Sequence, residues 1–173
     1  MGLVSNCGRA TGVLLRILSL LAFLALVVLT AAFGAMFGTG EWYQALEKPT
    51  WNPPAWLFGP VWSTLYVLMA IAGWLVWHSG HPLRLVALRW WLLQLVLNGA
   101  WSWLFFGLHR PGWALAEMTA LLAAIVLTAV RFHRIRPVAA WLLAPYLLWV
   151  GFAWFLNFTI WRLNGGGLAS LIG

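Results

Sequence analysis

Lys48-Pro-Thr-Trp-Asn-Pro-Pro-Ala-Trp-Leu-Phe-Gly-Pro-Val-Trp-Ser-Thr-Leu-Tyr66 sets four prolines and three tryptophans at the junction between a polar segment and a long apolar one. Pro49, Pro53 and Pro54 fix their own φ angles and push the residues before them out of the α region. The chain before Ala55 therefore reads as stiff and extended. Pro54 stands where a helix can begin, because a first helical position needs no N–H. A rigid, aromatic-rich cap leading into an uncharged helix is the feature around which the rest of the chain is read.

Working outward, residues 17–37, 55–77, 90–108 and 138–161 carry no charge, and 112–130 holds only Glu117. Each run approaches or exceeds the about 20 apolar residues that cross a hydrocarbon core of about 30 Å. Of the 173 residues, 64% are hydrophobic and 8% charged, against about 25% charged in soluble domains. The expected fold is an all-α integral membrane protein: one five-helix transmembrane bundle over 1–173, with helices at 17–37, 55–77, 85–108, 112–131 and 138–162 and a capping loop at 39–54. The first run is too long for a signal-peptide core of about 7–15 residues. The single cysteine, Cys7, makes neither an internal disulfide nor a paired-cysteine zinc site. A net charge of +7 invites a nucleic-acid reading, but the basic residues sit between apolar runs and not in a solvated patch.

The loops set the orientation. Arg9, Arg16, Arg84, Arg89, Arg131, Arg134 and Arg136 flank one side, and Lys48, Arg110 and Arg162 the other. This asymmetry predicts the N-terminus inside and the C-terminus outside, with the cap on the outer face.

Polar residues inside lipid point to function. Gln94, Asn98, Trp101 and Ser102 share one face of the third helix; Tyr146, Trp149, Ala153 and Asn157 share one face of the fifth, where Pro145 bends the backbone. Interhelical hydrogen bonding and direct ligand contact are both open readings for Gln94, Asn98 and Asn157. Glu117, one turn into the fourth helix, is expected to form an interfacial ion pair with Lys48, Arg110 or Arg162. Gly34 with Gly38, and Ala116 with Ala120 and Ala124, have the small-residue spacing that lets helices approach closely. Most of the 15 tryptophans suit interfacial belts, but Trp101, Trp149 and Trp154 fall too deep for that. Deep aromatics beside Gly151 and Ala153 suit a cavity for a flat apolar ligand. The four histidines lie in loops or at helix ends, and the only acids are Glu41, Glu47 and Glu117, so hydrolytic and metal chemistry are not expected.

Trp42-Tyr43, Lys48-Pro-Thr-Trp-Asn-Pro-Pro54, Pro60-Val-Trp-Ser-Thr-Leu-Tyr66, Gln94 with Asn98 and Trp101, Phe105-Phe-Gly107, Gly112-Trp-Ala-Leu115 and Pro145-Tyr-Leu-Leu-Trp149 running on to Leu156-Asn157 together resemble the translocator protein family, also called tryptophan-rich sensory proteins or peripheral-type benzodiazepine receptors. The resemblance runs from Trp42 to Asn164. It implies a five-helix bundle, often a homodimer, whose pocket is capped by the first long loop. It implies a receptor with no built-in cofactor that takes porphyrins such as protoporphyrin IX, haem, sterols and drug-like benzodiazepines as ligands. Some members are associated with light-dependent porphyrin degradation, in which Trp51 and Trp149 would be the redox partners; a regulatory role through the dimer interface is the third reading. By motif position the ligand-binding residues would be Trp51, Asn98, Trp101, Trp113, Trp149, Ala153 and Leu156, with Pro49, Pro53, Pro54 and Tyr66 shaping the cap. The family's sterol motif carries a central tyrosine; here Phe158 stands nearest that place before Arg162, and the motif is broken.

Overall fold

Proline and glycine placement decides where the helices begin and end. The computed structural model describes residues 2–166, with side chains from residue 12 onward. The elements are α1 (Gly2–Ala35), α2 (Glu41–Ala45), α3 (Ala55–Trp77), α4 (Arg84–Ser102), α5 (Pro111–Ile135), α6 (Pro137–Trp141) and α7 (Ala144–Leu163), with no strand among the described residues. Pro54 is the extended residue that caps α3, and Pro111 opens α5. Arg136 is driven extended by Pro137, with φ −153° and ψ 98°, and this ends α5. The apolar pattern runs unbroken through 138–162, yet the structure divides it into α6 and α7. Pro145 has no N–H to return to the preceding turn, so the helix restarts with this proline in its first turn.

Among the described residues four segments are long and apolar enough to cross a membrane: Gly12–Ala35 of α1, α3, α5, and the α6–α7 unit. Helix α4 is less apolar, because Arg84, Arg89, Gln94 and Asn98 interrupt it, but it is packed furthest inside. Its Trp91, Gln94, Leu95, Asn98 and Gly99 are all buried. A π-helical turn, Trp103–Gly107, continues α4. There the Leu108 N–H donates to the Trp103 carbonyl at 2.8 Å. One inserted residue rotates the side chains of this turn relative to α4, so that Trp101 stacks on Phe105 at 5.3 Å and meets Phe106 edge-on at 5.6 Å.

The main core lies between α3, α4, α5 and α7, centred on Met69, Trp91, Leu121, Ile125 and Tyr146. Gly73 shows how closely it is packed. A Cβ there would lie 2.8 Å from the Phe23 ring and 2.9 Å from the Trp91 ring. Phe23 and Trp91 meet edge-to-face at 5.1 Å, and the Trp91 indole donates to the Met69 carbonyl at 3.0 Å. At this end of the bundle Ser19 joins α1 to α3: it lies 2.8 Å from His78 Nε2 and accepts the Trp74 indole N–H at 3.1 Å. A smaller cluster of Phe105, Ala114, Leu156 and Ile160 lies at the opposite end, beneath α2.

Candidate functional site

Above the main core, between α1, α3, α4 and α7, the described residues line a partly open cavity of about 760 Å³, within the range of about 300–1,000 Å³ typical of small-molecule sites. Its roof is Tyr43 and Gln44 from α2 with Asn52 and Pro53 from the proline segment. Ala31, Gly34, Ala35 and Phe37 form the α1 side, and Phe58, Trp62 and Tyr66 the α3 side. Asn98, Trp101, Ser102 and Phe106 form the back, Met118 and Leu121 the floor, and Trp149, Val150 and Ala153 the α7 side.

One polar chain crosses this site. The Tyr66 hydroxyl donates to Asn98 Oδ1 at 2.9 Å, and Asn98 Nδ2 donates to the Tyr146 hydroxyl oxygen at 3.3 Å. Asn98 thus ties α3, α4 and α7 together while facing the cavity. Asn157 plays a similar part nearer the cap. It accepts from the Trp101 indole at 3.4 Å and donates to the Pro111 carbonyl at 2.8 Å, which fixes the Trp101 plane.

The roof is pinned by Asn164, just beyond α7. Its Oδ1 accepts the Glu47 N–H at 3.0 Å and its Nδ2 donates to the Glu47 carbonyl at 2.9 Å. Lys48 is turned into the cap as well: Nζ donates to the Gln44 and Leu46 carbonyls, each at 3.0 Å, and lies 4.7 Å from the Tyr43 ring centroid. Burial pushes the Tyr43 hydroxyl pKa up, partly opposed by the Asn52 side chain beside it. The Asn52 N–H donates to the Pro49 carbonyl at 2.9 Å and Nδ2 to the Pro53 carbonyl at 3.1 Å, while Oδ1 is buried with no hydrogen-bond partner among the described residues.

The residues singled out in the sequence divide between the cavity and its surroundings. Asn98, Trp101, Trp149, Ala153 and Tyr66 line it together. Trp51 lies outside the lining, stacked on Phe155 at 5.4 Å and edge-on to Phe152 at 5.9 Å. Trp149 in turn contacts Phe152 at 5.6 Å, so Trp51 reaches the cavity wall through one intervening ring. Trp113 is 54% exposed, because its neighbours Gly112 and Ala114 take the inward face of α5. Leu156 is buried in the smaller core beneath α2. Pro49 braces the Asn52 turn, Pro53 lies in the roof and Pro54 caps α3. Phe58 and Trp62 join Tyr66 at four-residue spacing along α3; that spacing, read with the cap, is the signal that could have found them.

The expected interfacial ion pair is not what Glu117 shows among the described residues. Both carboxylate oxygens are buried without a hydrogen-bond partner among the described residues. Gln94, expected on a polar face with Asn98, is likewise buried with its amide unpartnered. No cluster of three His, Cys, Asp or Glu side chains suited to a metal ion occurs among the described residues.

A helical chain with several apolar helices of membrane-crossing length, which folds a stiff aromatic loop over an uncharged cavity, is a multi-pass membrane protein. Residues 21–162 match the TspO/MBR family, and the chain belongs to that family. It is 42% identical to the human translocator protein over 139 residues, covering 77% of this chain and 82% of that one. It is also 42% identical over 156 residues to the tryptophan-rich protein TspO of Archaeoglobus fulgidus, covering 87% of this chain and 99% of the other. The tryptophan-rich sensory protein of Cereibacter sphaeroides is 38% identical over 147 residues, 83% of this chain and 90% of that protein.

Proposed function

We propose that the chain is a membrane receptor for porphyrins and related tetrapyrroles, held in the capped cavity. The observation that carries this reading is the cavity wall itself: Trp62, Trp101 and Trp149 from three helices line one partly open space. Flat apolar rings are what such a wall stacks against. Protoporphyrin IX or haem would rest between Trp149 and Trp101, with Ala153 leaving room for the ring plane. Among the described residues no histidine lines the cavity, so the ring is gripped by its faces and not through an imidazole–metal bond. The outer surface of Trp149 also borders a shallower apolar groove between α3 and α7.

The test is quenching of tryptophan emission by protoporphyrin IX in detergent. Micromolar affinity corresponds to about 8 kcal/mol, within reach of a largely enclosed ligand. Trp149→Phe should weaken both binding and quenching, and Trp77→Phe, at the far end of α3, should not. Equal losses from the two variants would mean unspecific partitioning into the micelle and would end the proposal. Spectra recorded across illumination separate a receptor from a porphyrin-degrading enzyme, since only the latter accumulates a new product band with turnover.

The same reading has α4 completing five spans, the N-terminus inside and the cap outside. Thr50, exposed in the cap, supplies the check. In a Cys7→Ser background, Thr50→Cys should react with a membrane-impermeant maleimide on intact cells. Protection until the cells are permeabilised would reverse the orientation.

A further inference from the structure

The end of the bundle away from the cap is rich in arginine and poor in acid. The chain's only acidic residues are Glu41, Glu47 and Glu117. Glu41 opens α2 at the cap end, and the Glu47 backbone is bonded to Asn164 beyond α7. Glu117 lies in the cap-side half of α5, whereas Arg131, near the other end of that helix, packs over the Trp90 ring at 4.6 Å. The helix from Glu117 to Arg131 covers about 21 Å, more than twice the Debye length of about 8 Å at physiological salt. No Asp or Glu of this chain therefore neutralises the arginines at that end.

Two of them act on a single imidazole where α1, α3 and α4 come together. Arg16, Ser19, Phe23 and Val27 follow one another at three- and four-residue spacing, along the face that α1 turns to α3. The Ser19 hydroxyl donates to the Arg16 carbonyl at 2.8 Å, so its oxygen accepts from the Trp74 indole at 3.1 Å and from His78 Nε2–H at 2.8 Å. Neutral His78 then carries its proton on Nε2, and Nδ1 is the nitrogen that takes up a second. Arg84, the first residue of α4, lies 5.4 Å from the Trp77 ring centroid and donates to the Trp77 carbonyl at 3.4 Å. Burial, together with the charges of Arg16 from α1 and Arg84 from α4, holds the His78 pKa below its ordinary value. This is an ion cluster with its cations in place and its anion missing from the sequence.

We propose that this corner binds the phosphate of an anionic phospholipid, held by Arg16 and Arg84 and, once protonated, by His78. Position argues for a lipid as strongly as charge does. Trp74 and Trp77 set the corner at the level of the headgroups. Beside Arg16, Leu15 and Leu18 are 60% and 52% exposed, an apolar surface along which acyl chains lie. Basic pockets between membrane helices are the usual seats of anionic headgroups. A phosphate bridging Arg16 and Arg84 ties α1 to α4 at an end where no carboxylate does. None of these residues lines the cavity, so the site is separate from the one described above.

The test uses the full-length protein with phosphatidylglycerol, phosphatidylcholine and inorganic phosphate. Native mass spectrometry from micelles holding the two lipids in equal amounts should show phosphatidylglycerol retained about twentyfold over phosphatidylcholine. Arg16→Gln and Arg84→Gln should each cut that preference about fivefold, the effect of one arginine near a membrane surface. Arg134→Gln, at the same end but on α5, should leave it within about twofold. NMR titration of the unaltered protein gives a reading that depends on no variant folding. On passing from phosphatidylcholine to phosphatidylglycerol nanodiscs, the His78 midpoint should rise further than that of His133, which shares only the general field of an anionic surface. Equal retention of the two lipids, an equal loss from Arg134→Gln, or equal shifts at His78 and His133 would each overturn the proposal. Inorganic phosphate at millimolar concentration should move His78 little; a shift as large as that with phosphatidylglycerol would reveal an anion site that has no use for the lipid, and would overturn it as well.

Discussion

Asn98→Leu removes the residue that holds three helices around the cavity, and its cost can be worked from two bonds. The 2.9 Å bond from Tyr66 is well formed, and the 3.3 Å bond to Tyr146 is longer and weaker. Interhelical hydrogen bonds in membrane proteins average about 0.6 kcal/mol and reach about 1.7. Leaving the Tyr66 hydroxyl without its acceptor adds a desolvation cost of about 1–3 kcal/mol, which leucine's added packing partly offsets. A net loss of about 1.5–3 kcal/mol is expected, read as a fall in the denaturing-detergent midpoint for unfolding in micelles. Tyr66→Phe should cost about 1 kcal/mol, and the double variant should fall short of the sum by about 0.6–1.7 kcal/mol. Strict additivity would show that the Tyr66–Asn98 bond contributes nothing, and would remove the reason for treating Asn98 as the tie between α3, α4 and α7. Tetrapyrrole affinity, measured on the folded fraction, should fall in Asn98→Leu, because the same side chain faces the ligand space.

Gly73→Val places a side chain against the Phe23 and Trp91 rings and should destabilise by about 1–3 kcal/mol. Gly151→Ala, with nothing within 4 Å of the new Cβ, should be neutral or slightly stabilising; equal melting of the two variants would refute the packing account. Asn164→Ala deletes both bonds from the end of α7 to Glu47 and should speed ligand release roughly tenfold in stopped-flow displacement. An unchanged release rate would mean that the roof is not held there. Burial, with Arg16 and Arg84 nearby, holds the His78 pKa below its ordinary value, which is about 6.5. The folded state therefore binds its proton less readily than the unfolded state: the contribution is present above about pH 6.5 and is lost as pH falls through the folded value. NMR titration should place the ring's midpoint below the ordinary value, and a midpoint above it would contradict this account.

The helical membrane class was legible in the uncharged runs, and the cap in three prolines, because both depend on local chemistry. Asn98, Trp101, Trp149 and Ala153 were legible from helical spacing as well as from the family resemblance. Trp51, Trp113 and Leu156 show where that reading thins. Each follows motif position, but which way a ring turns depends on neighbours distant in the chain, such as Phe152 and Phe155 for Trp51. The π turn was invisible because an inserted residue leaves the apolar pattern of 103–107 unchanged. Glu117 was assigned a partner from the side of the membrane it shares with the basic residues. The fold instead buries both oxygens, and sharing an interface does not bring side chains into reach. Asn52 was legible as part of a stiff loop; its free acceptor emerged only once Pro49 and Pro53 were seen to occupy the rest of the residue.

The exposure of α1 bears on how the cavity comes to exist. Of its described side chains only Phe23 and Val27 are buried, yet Ala31, Gly34 and Ala35 supply one side of the cavity. In lipid, exposed apolar faces carry no penalty that would press a helix inward, so van der Waals contact and a few polar ties must hold it. The container is thus assembled from a block packed on all sides and one wall that meets it along a narrow seam, at Phe23, Val27 and Gly34, while turning most of its side chains to the lipid. A molecule reaching from Ala31 to Ala153 then serves as a brace across the seam, and a bound cavity is sturdier than an empty one by the free energy of that ligand's binding.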